Sequence, residues 1–225
     1  MGHHASAVPA ARAAATSFAP LAAAPGSSPK RMPWTLPETG LAVFHGHPDV
    51  PRLFHYFLPR LVAQGKPVLC LDGANRFDPL LIARFARERD VEAAVFNKRL
   101  RVARAFTCFQ LTELLARTPR LLEKFSARVL IVTALPDLYF DEDVREREAA
   151  VSFRRALEAL RILRPLPLVT AIFTDATSFE TPRKSFFAQL LAQADQVSRF
   201  AVTEGDKLAI VGEKAPRPML RSSPL

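Results

Sequence analysis

The stretch from Gly40 to Asp72 constrains this chain more than any other. Leu41 to Phe44 is a short apolar run, and His45-Gly46-His47-Pro48-Asp49 is a turn. Pro51 then opens a segment with Leu53, Phe54, Phe57, Leu58 and Leu61 at the spacing of an amphipathic helix. Gly65 stops it, and Pro67 to Leu71 is a second apolar run that ends in Asp72. Strand, tight loop, helix and strand in that order make a βαβ unit, with its loop where a phosphate-binding loop would sit. The loop lacks the residues that bind phosphate, and this conflict shapes the functional reading.

The remaining sequence repeats the alternation. Pro79 starts a helix to about Arg89, and Val102 to Phe106 is a third strand preceded by the basic Lys98-Arg99-Leu100-Arg101. Phe109–Leu115 and Pro119–Phe125 read as two helical pieces. Val129 to Thr133 is an unbroken apolar run of the kind a strand covered on both faces needs. Pro136 to Asp143 reads as a solvated loop with Asp137, Asp141, Glu142 and Asp143, followed by a long helix to about Arg164. Pro167–Phe173 is a fifth strand, Thr174–Lys184 a polar loop, and Phe186–Ala194 a helix. Val197–Thr203 and Lys207–Val211 pair as a hairpin about Glu204-Gly205-Asp206. The expected fold is α/β: a mostly parallel central sheet flanked by helices, with a C-terminal antiparallel hairpin.

Composition places this domain at residues 38–213. Residues 1–37 are rich in Ala, Pro and Ser, and both they and residues 214–225 are expected to be disordered basic tails. The first tail holds Arg12, Lys30 and Arg31 and no acid; the second holds Lys214, Arg217 and Arg221 and no acid. These six cations supply most of the formal net charge of +9, so the basic balance is only a weak sign of a nucleic-acid-binding core. Trp34 is a candidate docking anchor within the first tail. With 49% hydrophobic and 24% charged residues and no apolar run of about 18 residues, the chain reads as soluble, without a membrane partner, and cytoplasmic. Cys70 and Cys108 lie in apolar segments and read as buried, reduced thiols.

Three segments in register resemble the ATPase core of the RecA/RadA recombinase family over about residues 39–211. Leu71-Asp72-Gly73-Ala74-Asn75-Arg76-Phe77-Asp78-Pro79 is similar to that family's strand end, loop and helix start. Val102-Ala103-Arg104-Ala105-Phe106 with Gln110-Leu111 resembles its third-strand segment, and Val129–Thr133 resembles its Walker B strand. The resemblance implies a RecA-like fold, with the nucleotide loop beginning at Gly46. A working loop needs a second glycine, a lysine and a hydroxyl. Here those positions hold Pro51, Arg52 and Leu53, and Asp49 adds negative charge. The catalytic glutamate position falls on Ala74, the Walker B aspartate on Thr133, and a further polar position near Asp175. ATP hydrolysis is therefore not expected, nor any cofactor.

The resemblance implies a non-catalytic accessory role in DNA recombination or repair, exerted through a protein partner such as a RecA-like ATPase or repair factor, and a cytoplasmic, nucleoid-associated place. A second reading is a direct single-stranded DNA binder. Its candidate contacts are Arg183, Lys184 and Phe179 after the fifth strand, and Lys98, Arg99 and Arg101 before the third. A third is a metal-dependent enzyme using His45 and His47, although no full ligand set stands out. No Gly-x-Ser-x-Gly elbow or Cys–His pairing points to a hydrolase.

Overall fold

The unbroken apolar runs of the central strands dictate a layered architecture, with cover on both faces. The computed structural model describes residues 36–88, 90–203 and 207–214. The strands are β1 (Gly40–His45), β2 (Val68–Asp72), β3 (Leu100–Arg104), β4 (Val129–Thr133), β5 (Val169–Phe173), β6 (Gln196–Thr203) and β7 (Lys207–Lys214). They form one sheet in the order β3-β2-β4-β5-β1-β6-β7. The first six run parallel, and β7 returns antiparallel to β6.

Every residue of β2, β4 and β5 is buried, because helices cover both faces. Successive side chains point to opposite faces. Leu41, Val43, Leu69, Leu71, Leu130, Val132 and Ile172 join one core, under α4 (Cys108–Phe125), α5 (Glu146–Leu163) and α6 (Lys184–Gln193). Ala42, Phe44, Val68, Cys70, Ile131, Ala171 and Phe173 join the other, under α1 (Phe54–Ala63), α2 (Pro79–Arg87) and α3 (Ala93–Arg99). Both cysteines are buried and free, as expected.

Local chemistry sets the helix boundaries. The Asp78 carboxylate accepts from the Leu80 and Leu81 N–H groups, and Pro79 occupies the first turn of α2, where no N–H is needed. Thr107 caps α4 by accepting from Gln110 N, while Gln110 Oε1 accepts from Phe106 N at 2.7 Å.

Four expectations need correction. Pro51 does not open α1: Val50–Arg52 is a 3-10 turn and the α-helix begins at Phe54. The two pieces expected over 109–125 are one helix, with Pro119 inside it. The basic run at Lys98-Arg99 is the end of α3, and β3 starts at Leu100, two residues before the expected strand. Lys214 is the last residue of β7, and its ammonium donates to the Ala194 carbonyl, so it belongs to the domain. Residues 1–35, with Trp34, and residues 215–225 lie outside the described residues, as does the turn at 204–206.

Candidate functional site

Parallel strands end at a common edge, and ligands of open α/β sheets bind outside the carboxyl ends of such strands. Here that edge collects the residues after β1, β2, β4 and β5, and three of these connections interlock.

The first is the loop after β1. Gly46 has φ +119°, and a Cβ placed there would lie 2.2 Å from the Phe200 carbonyl oxygen, so only glycine passes over β6. From Asp49 to Leu53 the backbone donors are engaged within the loop. Asp49 N donates to His47 Nδ1 at 3.2 Å and Val50 N to the His47 carbonyl at 2.9 Å. Arg52 N donates to Asp49 O and Leu53 N to Val50 O, each at 2.9 Å. Pro51 has no N–H and is buried. Leu53 is buried in the core, whereas Arg52 is exposed. A phosphate cradle needs several backbone N–H groups facing outward; residues 49–53 turn theirs inward.

The second connection follows β2. Asp72 is fully buried and accepts from Thr133 Oγ1 at 2.9 Å, Phe77 N at 2.9 Å and Arg76 N at 3.1 Å. The Arg104 guanidinium lies 3.8 Å away. The Thr133 hydroxyl in turn accepts from Ala74 N at 2.9 Å. Ala74 and Thr133 are thus tied to each other and to Asp72, and the lone carboxylate among them already accepts three hydrogen bonds. His55 joins this loop to the first. Its Nδ1 lies 2.7 Å from the Arg52 carbonyl, and its Nε2 lies 2.9 Å from Asp78 N. Since an N–H can only donate, Nε2 is the acceptor and Nδ1 carries the proton. Burial lowers the pKa of His55, which keeps it in this neutral form.

The third connection follows β4. Asp137, expected in a solvated acidic loop, is buried; Asp141, Glu142 and Asp143 are exposed, as expected. Its carboxyl accepts from Thr174 Oγ1 and from Asp175 N. Burial first, and then the adjacent Asp175 carboxylate, push its pKa well above the usual carboxylate range. Asp137 and Asp175 line a cleft of about 520 Å³ together with Pro48, Ala74, Arg76 and Phe179. The cleft thus gathers four acidic side chains, Asp137, Asp141, Glu142 and Asp175, around one cation, Arg76.

The candidate DNA contacts do not come together. Residues 179–184 follow the end of β5, whereas Lys98, Arg99 and Arg101 stand at the opposite ends of the parallel strands, before or at the start of β3. Arg183 is buried, and its guanidinium donates to the carbonyls of Tyr139 at 2.9 Å, Asp141 at 2.7 Å and Val144 at 2.5 Å. It clamps the segment between β4 and α5. Lys184 pairs with Glu180 at 3.2 Å, and Phe179 lies 5.6 Å from Phe140 and is 40% exposed. Arg99 donates to the Val62 carbonyl at 3.0 Å, and Arg101 to Asn97 O at 2.6 Å while its guanidinium lies 4.7 Å from the Phe125 ring centroid. Lys98 is exposed.

His45 and His47 diverge. His45 is buried and its Nε2 lies 2.9 Å from Glu213 on β7, while His47 faces Asp49. Among the described residues, no three His, Cys, Asp or Glu side chains form a group that could hold a metal ion. No helix among them is long and apolar enough to cross a membrane.

Neither a protein-family model nor a curated protein matches the chain.

The roles of His55, Asp137 and Arg183 escaped the sequence reading. His55 carried one signal, an amphipathic-helix position between Phe54 and Phe57. Arg183 carried none, because a cation in a polar loop looks the same whether it meets solvent or three carbonyls.

Proposed function

We propose that this chain is a RecA-like accessory protein of DNA recombination or repair that hydrolyses no ATP and acts by binding another protein. The observation that carries this reading is the inward-turned loop. Four N–H groups from Asp49 to Leu53 bond within the loop and the fifth residue is Pro51. Phosphoryl transfer depends on positioning and charge neutralisation. Arg52 is the one cation of that loop, and Asp137 and Asp175 line the cleft beside it.

Binding to a protein is supported by the β3 edge. Among the described residues β3 pairs on one side only, with β2. Val102 within β3, Phe106 just after it and Phe109 in the first turn of α4 are 36%, 62% and 47% exposed. An unpaired strand edge beside exposed aromatic side chains is a template for an incoming strand. Work on chromosomal DNA would place the protein in the cytoplasm, at the nucleoid.

The test is co-sedimentation with a RecA-like recombinase filament assembled on single-stranded DNA, at several salt concentrations. The wild-type chain should pellet with the filament, and Phe106→Glu should weaken this at least about tenfold, as loss of an interface aromatic does. Pelleting with naked oligonucleotide, with a steep salt dependence, would instead favour direct DNA binding through Lys98 and Lys184. Pelleting with neither would remove the recombination role.

A further inference from the structure

On the face opposite α1, helices α4 and α5 pack side by side and leave a groove of about 440 Å³ between them. Its floor is small and apolar: Ala116 and Pro119 from α4, and Ala159 from α5. Pro119 contributes to the gap, since its ring excludes the ordinary backbone bond to Leu115 and it carries no long side chain. On the α5 wall Val151 and Ile162 stand at the two ends, with Arg154, Arg155 and Glu158 between them. Val151 is 42% exposed and Ile162 is 52% exposed.

The rim is cationic. Arg154 and Arg155 both line the groove, and among the described residues neither has a carboxylate partner. Glu158, the one acid in the lining, is held by Arg161 through contacts of 2.6 and 2.7 Å, so its charge is already matched. The distance from Val151 to Ile162 along the helix is about 16 Å, or three turns. A small apolar floor, an aliphatic side chain at each end of a three-turn wall and unmatched positive charge between them fit an amphipathic helix with acidic flanks. A second copy of this groove would bring like charges together, which disfavours self-association through it.

We propose that the α4–α5 groove binds an acidic amphipathic helix of the partner protein. The inference rests on the partner-binding reading above and identifies the partner's chemistry at a surface separate from the β3 edge. The partner helix sets apolar residues over Ala116, Ala159 and Ile162, and its carboxylates meet Arg154 and Arg155. The contact area is modest, so affinity for the isolated helix lies in the micromolar range.

The test uses two fluorescent synthetic helical peptides with the same leucine positions, one flanked by glutamates and the other by lysines. Each is titrated with the full chain by anisotropy. The glutamate peptide should saturate, weaken as salt rises, and bind at least about tenfold more tightly than the lysine peptide, as unlike and like charges at one rim require. Ile162→Asp, at an exposed position, should abolish this binding, and Arg154→Glu with Arg155→Glu should reverse the preference. Equal binding of both peptides, no saturation at about 1 mM, or binding unaffected by Ile162→Asp would overturn the proposal. Displacement of the peptide by a single-stranded oligonucleotide would also overturn it, by assigning the rim to phosphate. The filament assay keeps the two claims apart: sensitivity to Phe106→Glu alongside indifference of the peptide to Ile162→Asp would remove the groove and leave partner binding standing.

Discussion

His55 holds the two loops of the candidate site together, and its replacement by phenylalanine isolates what its polar atoms contribute. The ring stacks on Phe54 with centroids 4.0 Å apart and is fully buried, so phenylalanine preserves most of the shape. Lost are the Nδ1 bond to Arg52 O and the Asp78 N bond to Nε2. Leaving a buried partner unsatisfied costs about 1–3 kcal/mol per group. Both partners lie near the surface, so water recovers part of this, and about 2–4 kcal/mol is expected in total. For a domain of this size that corresponds to a fall in Tm of roughly 5–15 °C. A pH series supplies a sharper arm. The folded-state pKa of His55 is lowered from 6.5, chiefly by burial. The unfolded chain therefore takes up a proton near pH 6.5 that the folded chain refuses. The stability His55 contributes is fully present above that pH and is lost as pH falls toward the folded value, at about 1.4 kcal/mol for each unit between the two. Denaturant midpoints of wild type and His55→Phe, measured from pH 8 to pH 5, should converge as the pH falls. A constant gap, or a variant as stable as wild type at pH 8, would refute the neutral, doubly bonded imidazole.

Asp137 gives the opposite slope. Its raised pKa means that the folded chain keeps a proton that the unfolded chain loses above about pH 4, so the carboxyl's penalty grows as pH rises. Asp137→Asn should therefore gain on wild type in urea titrations as pH is raised from 4 to 8; parallel curves would contradict the raised pKa. Arg183→Met should cost about 2–4 kcal/mol of stability, because three carbonyls lose a charged donor. Lys184→Ala should stay within about 0.5 kcal/mol by the same unfolding measurement. Ala134 has φ +58°, in the left-handed region, so Ala134→Gly should raise stability by roughly 0.5–1 kcal/mol; a loss in a thermal scan would show that the Ala134 methyl contributes more than the strain costs.

The strands were readable wherever both faces are covered. Val129–Thr133 and Val68–Asp72 are continuous apolar runs because no position on them meets water, and their ends were legible to within a residue. β3 was displaced by two residues because it is an edge strand: Arg101 and Val102 are exposed, so its pattern carries no clear apolar face. α3, seven residues long, is too short to show helical periodicity. Pro119 looked like a helix start but sits within an eighteen-residue helix, where packing of Leu111, Leu115 and Leu122 outweighs one missing bond. Of the candidate site, the substituted positions Pro51, Leu53, Ala74 and Thr133 were legible as residue types. What they do instead was not, because the bonds joining Ala74, Thr133 and Asp72 cross about sixty residues of sequence. The same limit hid Asp137: its neighbours Asp141, Glu142 and Asp143 are exposed, and only the approach of Thr174 and Asp175 sets it apart.

The central claim is that residues 49–53 of the loop after β1 turn their backbone donors inward and offer none to a triphosphate. Its most direct test is calorimetric titration of the full chain with ATP and Mg²⁺, with inorganic phosphate as a second titrant. No saturable heat is expected for either at about 1 mM ligand, which puts any binding weaker than roughly −4 kcal/mol. A stoichiometric site with a Kd of about 10 µM or tighter, abolished by Arg52→Ala, would contradict it and return the chain to the nucleotide-binding proteins.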